Sequence, residues 1–319
     1  MPRRAPRPPY GRAWLDPAAR CCPRGGPRLG LACPKGVEVV EETDGMRMRP
    51  RSIVFDLFGD YLRYRGGSAR LVTLVSLLEV FGVPESTARV ALARLRREGW
   101  FDTEALGRES IYALSSRSWA MLDEGRARIF DRDTSPWDGQ WRMVIYVVPE
   151  AQRGVRDEVR QELAWLGFGS LATSTWISPR DRLDAVAGRL RGIPGLRLDL
   201  LTCRAASAER DQEMTARCWD LTRLNRDYSE FVKTYRPKLA SIRSGELSPR
   251  RSLVLRTELV HDYRKFPFRD PDLPAELLPT AWRGTEAHEL FRTEHDLLAP
   301  AADRFIDGVL AAPKVSEAG

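Results

Sequence analysis

In the segment Glu85–Gly99, ESTARVALARLRREG, three apolar residues recur at helical spacing: Ala88, Leu92 and Leu95, at i, i+4 and i+7. Thr87, Val90, Arg94 and Arg97 lie away from that face, with Arg89 on its flank. A helix buried on the first face and bearing hydroxyls and guanidinium groups on the other carries the chemistry of nucleic-acid recognition. Arg89 and Arg94 can give bidentate hydrogen bonds to guanine O6 and N7, each worth roughly 1–3 kcal/mol of discrimination. Ser86 and Thr87, in the first turn, reach base edges or phosphates. Arg96, Arg97 and, further on, Arg108 are suited to phosphates, which fix register without carrying sequence. The competing reading is a solvated basic helix with no partner.

A second cluster surrounds the proline-punctuated stretch Phe266–Pro274, FPFRDPDLP. His261, Tyr263, Arg264, Lys265 and Arg269 mix cations with aromatic groups, as a site for an anionic aromatic ligand would. The same residues also fit a helix end whose cations complement its dipole, and spacing does not choose between the two. Other chemistry is sparse. The chain has five cysteines and three histidines, with no CxxC pair and no zinc-ligand spacing. His288 and His295 stand seven apart on one helix face, a weak case for a metal. No P-loop, GxSxG or HExxH motif occurs. No metal and no cofactor is expected.

Behind these residues stand elements that must position them. Ile53, Val54, Leu57, Phe58, Tyr61 and Leu62 predict an amphipathic helix from Arg51, ended by Gly66-Gly67. Residues 71–81 predict a second helix, broken at Gly82, and Pro84 suits the first turn of a third over 85–98, closed by Gly99. Strands are predicted over 100–105 and 110–114, with a turn at 106–109. Helix, helix, short turn, basic helix and β-hairpin is the order of a winged helix-turn-helix, which sets its third helix in the major groove and its wing on the backbone. That domain is assigned to residues 46–132.

Residues 133–205 predict a smaller α+β domain. Strands fall at 141–148, 171–177 and 197–202, and helices at 150–165 and from a Ser178/Asp181 capping box to Leu190. The order is that of a ferredoxin-like sandwich. A metal-dependent nuclease built on it would need carboxylates at strand ends for Mg²⁺, yet the first strand ends Tyr146-Val147-Val148-Pro149. A scaffold or dimerisation role is favoured, with Trp137 and Trp141 in its core. Residues 206–319 read as a helical effector or dimerisation domain, with helices over 209–236, 250–265, 285–298 and 300–311.

Composition sets the outer bounds. The 319 residues carry 51 Lys plus Arg against 44 Asp plus Glu, a formal charge of +7 that suits an anionic partner. Residues 1–45 hold eight prolines and six glycines and predict an unstructured extension. No run approaches the ~20 apolar residues of a membrane helix, and the few scattered thiols suit a cytoplasmic protein.

The longer segments carry a resemblance. SIVFDLFGDYLRYRGG (52–67), ARVALARLRREGW (88–100), WDGQWRMVIYVVPE (137–150), WLGFGSLATSTWISPRD (165–181), LVHDYRKFPFRDPDLPAELLP (259–279) and LFRTEHDLLAPAADRF (290–305) are similar to the PaaX family, transcriptional repressors of bacterial phenylacetic acid catabolism. The family's pattern falls on Arg89, Ala91, Leu92, Arg94 and Leu95, while Pro84 stands where many relatives carry a serine. The resemblance implies the same three-part α+β architecture. It also implies a homodimer on an inverted-repeat operator of double-stranded DNA, released by an aryl- or acyl-CoA thioester such as phenylacetyl-CoA.

Overall fold

In the computed structural model, which describes residues 48–107, 109–150 and 152–312, the apolar spacing that starts at Ile53 becomes helix α1 (Pro50–Asp60). Pro50 occupies its first turn, where the missing N–H costs nothing. The extension at residues 1–45, with three of the cysteines, and Arg108 lie outside the described residues. Strand β1 (Ser68–Arg70) follows, then α2 (Leu71–Glu79) and α3 (Glu85–Arg97). Pro84 sits at the N-cap of α3 rather than inside its first turn, and no side chain caps the helix. Glu85 supplies negative charge there instead.

Strands β2 (Phe101–Leu106) and β3 (Glu109–Leu114) form a tight hairpin, in register from Phe101 opposite Leu114 to Leu106 opposite Glu109. Gly107 holds φ 62° at its tip, a left-handed value that suits glycine. Strand β1 adds to β3, so the sheet order is β1-β3-β2, all antiparallel. Ala88, Leu92 and Leu95 of α3 are buried as their spacing predicts. They share this core with Leu57, Phe58, Leu77 and an aromatic chain from Phe55 through Phe101 to Tyr112.

Helix α4 (Ser116–Phe130) runs on from β3; its periodicity is masked by the arginines along it. Four strands then form a second antiparallel sheet: β4 (Trp141–Val147), β5 (Gly169–Ala172), β6 (Thr175–Ser178) and β7 (Arg197–Cys203). Their order across the sheet is β5-β6-β4-β7. Helices α5 (Arg153–Trp165) and α6 (Leu183–Leu190) cover one face through Val159, Leu163, Val186 and Leu190. Two expectations fail here. The single strand over 171–177 is a hairpin, because Ser174 takes φ 61° and turns the chain. The Ser178/Asp181 capping box does not form. Ser178 ends β6 and accepts from the Arg180 N–H, Asp181 pairs with Arg142, and Arg182 takes the N-cap of α6.

The remaining residues are helical: α7 (Ala208–Cys218), α8 (Leu221–Tyr235), α9 (Lys238–Arg243), α10 (Pro249–Tyr263) and α11 (Gly284–Ala311). The expected helix over 209–236 is broken at Trp219, which is extended and packs against Trp141 and Leu221, and Asp220 then caps α8 by accepting from the Arg223 N–H at 3.0 Å. Conversely, the two helices expected at 285–298 and 300–311 are one. Pro300 forfeits a hydrogen bond to the Asp296 carbonyl, but an unbroken buried stripe (Leu290, Phe291, Leu298, Ala302, Ile306) holds α11 together. Trp141 is fully buried and edge-on to Trp137, whose ring packs on the same cluster, in line with the core role expected of both. The fold is thus a mixed α and β chain of successive modules. Among the described residues no helix is long and apolar enough to cross a membrane.

Candidate nucleic-acid interface and ligand cleft

The outward face of α3 presents Ser86, Thr87, Arg89, Val90, Arg94, Arg96 and Arg97, all exposed. Two of the arginines are engaged along the helix. Arg89 Nε donates to Glu85 at 2.7 Å and Arg94 Nε to Glu98 at 2.8 Å. Such exposed i,i+4 pairs are worth about 0.3–0.5 kcal/mol, little against a bidentate base contact, so neither arginine is lost to a partner. Glu98 is a local hub. Hydrogen bonding from Arg94, joined by the Trp100 indole and the charge of Arg51, holds its carboxyl below the usual range. Arg96 and Arg97 have no ion-pair partner among the described residues. Val90 is 67% exposed in the middle of the face, one turn from Ser86 and from Arg94.

Helix α4 ties this face to the rest of the chain. Ser115 and Ser118 donate to the carbonyls of Gly99 and Trp100, directly after α3. Further along α4, Glu124 accepts from the Trp165 indole and from Arg189, each at 2.6 Å. Arg128 lies 3.9 Å over the Trp165 ring and donates to the Trp165 carbonyl. Past the helix end, Arg132 pairs with Asp270 at 2.8 Å and Asp272 at 3.3 Å.

Between these partners opens a cleft of about 540 Å³. Its walls are the end of α4, the turn from α5 into β5, Trp176, Arg182, Trp219 and the strap at residues 267–272. Its shape depends on Gly169, where a Cβ would meet Trp219 and Cys218 at 2.6 Å. The strap is pinned hard. Asp272 holds φ 55°, its carboxylate accepts from Arg132, and its carbonyl accepts from Arg180 at 3.1 Å. The buried Arg180 also donates to the Ser135 and Asp133 carbonyls, locking the linker after α4 against the strap.

Of the five residues singled out around this strap, Tyr263 and Arg269 line the cleft. The Tyr263 hydroxyl lies 2.9 Å from His288 Nδ1. Burial, reinforced by Arg132 and Arg292, pushes that imidazole down to about 4, so it is neutral at pH 7. Arg269 pairs with Asp227 at 2.6 Å. His261, Arg264 and Lys265 point elsewhere because α10 turns them off the Tyr263 face. His261 and Arg264 approach the buried Asp56 of α1 at 3.4 and 3.3 Å, and Lys265 pairs with Asp262. Nearby, Asp60 of α1 meets Arg256 at 3.0 Å and His295 Nε2 at 3.0 Å. Burial opposes its charge, but the His295 hydrogen bond and the charges of Arg256 and Arg126 prevail and keep its carboxyl below the usual range. His288 and His295 therefore serve different partners. Sequence reasoning missed Trp165, Trp176, Arg128 and Arg182, which come from four separate elements and lack any common spacing.

No group of three His, Cys, Asp or Glu among the described residues could hold a metal ion, and the relatives of this chain give the nuclease alternative no support. Comparison with known proteins points one way. Residues 49–118 match the model of the PaaX-like protein, 134–215 that of the PaaX protein central Cas2-like domain, and 219–308 that of the PaaX-like protein C-terminal domain. The chain is 34% identical over 265 residues to the transcriptional repressor PaaX of Escherichia coli (strain K12), covering 80% of this chain and 82% of that one; that relative is a regulator, not an enzyme. Among solved structures, an uncharacterized protein, Rv0674 from Mycobacterium tuberculosis, shares the fold at TM-score 0.56 and 24% identity, over 82% of this chain and 98% of that one. With consecutive models of one family tiling residues 49–308 and that identity to a curated member, the chain belongs to the PaaX family.

Proposed function

We propose that the chain is a DNA-binding repressor of an aromatic-acid or acyl catabolic operon, acting in the cytoplasm. Residues 50–114 work as a winged helix, with α3 in the major groove and the β2–β3 hairpin, including Arg108, on the flanking backbone. The four-stranded domain is a ferredoxin-like scaffold, and the helical part supports a homodimer on an inverted repeat. An aryl- or acyl-CoA thioester of the phenylacetyl-CoA kind releases it. The single observation that carries this reading is the face of α3, which sets hydroxyls, an apolar methyl pair and free guanidinium groups on a helix braced from behind by three buried residues. Phosphate contacts supply affinity and base edges supply choice. Val90 adds an apolar contact of the kind that reads a thymine methyl.

The test is a titration of the purified protein against its own upstream DNA at 50 and 200 mM salt. A specific complex that weakens by roughly 10³-fold or more across that range is expected if about six phosphates are contacted. Arg97→Ala should weaken all sequences alike and flatten the salt slope, and Arg94→Ala should cost about 1–3 kcal/mol and relax choice at one position. No salt-sensitive complex, with both variants behaving as the parent, would remove this reading in favour of a protein-contact module.

A further inference from the structure

We propose that the cleft between α4, the α5–β5 turn and the 267–272 strap is the ligand site of this chain. It takes an anionic molecule that also bears a flat apolar group and a carbonyl oxygen, and it signals to α3 through α4. This rests on the regulatory reading above, to which it adds a place and a route.

Size is the first support: about 540 Å³ lies within the roughly 300–1,000 Å³ of small-molecule sites. Charge is the second. Arg132 and Arg269 are neutralised by Asp270, Asp272 and Asp227. Arg128 and Arg182 differ, because both spend their hydrogen bonds on main-chain carbonyls, those of Trp165 and Leu166. The carboxylate nearest Arg128 is Glu124 at 4.0 Å, and Glu124 is held more closely by Arg189 and the Trp165 indole. Burial, with Arg182 and Arg189 adding repulsion against the opposing attraction of Glu124, pushes the Arg128 guanidinium down to about 10. An anion entering here would meet Arg182, which spends its hydrogen bond on a carbonyl, and Arg128, whose carboxylate partner stands off at 4.0 Å.

The third support is an unmet donor. Trp176 lines the cleft and is nine-tenths buried, yet its Nε1–H has no acceptor among the described residues. A buried donor left unpaired costs about 1–3 kcal/mol, which a ligand carbonyl or carboxylate oxygen would recover by displacing the atoms that cover it. Trp165 and Phe268, stacked with ring centroids 5.3 Å apart, form an aromatic wall of the cleft against which a flat group packs.

The route to DNA is short. Glu124 and Arg128 face the cleft's surroundings from one side of α4, and the other end of that helix is hydrogen-bonded to the residues that close α3. A ligand that draws Arg128 from the Trp165 carbonyl loosens the hold on α4 and so moves the seat of α3. Only a ligand with different affinity for the two seatings shifts the equilibrium.

The experiment uses the full chain, with tryptophan fluorescence to follow binding of phenylacetyl-CoA, coenzyme A and phenylacetate, and operator binding measured alongside. Arg182→Gln should weaken the bound probe at least tenfold and Trp176→Phe about threefold or more. Both should leave DNA affinity without ligand within twofold of the parent, and both should need correspondingly more probe for release. Thermal melts confirm that each variant is folded, and the conservative Trp176→Phe keeps the ring. Whichever probe of the three binds in this way identifies the source of the anion and supports the site. The proposal is overturned if folded variants bind the probe as the parent does, or if the parent binds none of the three. Failure of the parent to bind DNA at all, with probe binding intact and lost in the variants, would instead sink the repressor reading and leave the site standing.

Discussion

Val90 has the least to do with folding of any large apolar side chain on α3, since it faces solvent while Ala88, Leu92 and Leu95 hold the helix in place. In the proposed complex its value lies in what it meets in the groove. One methyl group buried on binding is worth about 0.8 kcal/mol, so replacing the contacted thymine by deoxyuracil should weaken the complex about three- to fourfold at one position in each half-site. In Val90→Ser that difference should vanish, and competition binding with singly substituted operators reads it directly. If every thymine can be replaced without effect in the parent, Val90 does not read the groove. This face was legible in the sequence because a single helix carries all of it, and 3.6-residue spacing sorts inside from outside. The cleft was not. Arg128, Trp165, Trp176 and Arg182 belong to different elements, and only tertiary packing brings them together.

At the scale of elements, α11 shows what periodicity misses. Pro300 argues for a break, yet packing along the whole stripe overrides it, just as the packing of Trp219 against Trp141 and Leu221 splits a pattern that reads as one helix between 209 and 236. The strand at 141–147 was legible from its β-branched and aromatic content, whereas the hairpin at 169–178 rests on one left-handed residue, Ser174. Helix α11 also carries Glu294, fully buried with both carboxylate oxygens unpartnered. Burial raises its pKa to about 7, against a small opposing effect of Lys238. The sign follows. Unfolded, this carboxyl ionises near its ordinary value; folded, it holds its proton up to about pH 7. The folded state therefore loses stability as pH rises between those two values and loses no more above the second. Glu294→Gln stays neutral throughout, so thermal melts should show it gaining on the parent from pH 5 to pH 8, by about 2 kcal/mol at the upper end. Parallel pH profiles for the two proteins would show that Glu294 is solvated.

For the molecule as a whole, the decisive joint is the one between α1 and the C-terminal helices. Asp60 is buried with Arg256 and His295, and Asp56 faces His261 and Arg264. Farther along, Arg65 reaches Asp303 and Asp307 of α11. Asp60→Asn strands the Arg256 charge in the interior, so urea unfolding should show a loss of about 3–5 kcal/mol, where an exposed pair such as Arg210–Glu213 would show almost none. The sequence hid this joint, since Asp56 and Asp60 read as the polar side of an amphipathic helix. Their burial has a consequence for how such a protein can be recombined. A head domain joined to its body by a flexible tether can be cut off and grafted elsewhere. The proposed DNA-reading head of this chain cannot, because α10 and α11 supply polar partners for Asp56 and Asp60 in its core. Any chimera that borrows residues 48–130 must carry Arg256, Arg264 and His295 along with them, so the head and the C-terminal helices are inherited as one piece.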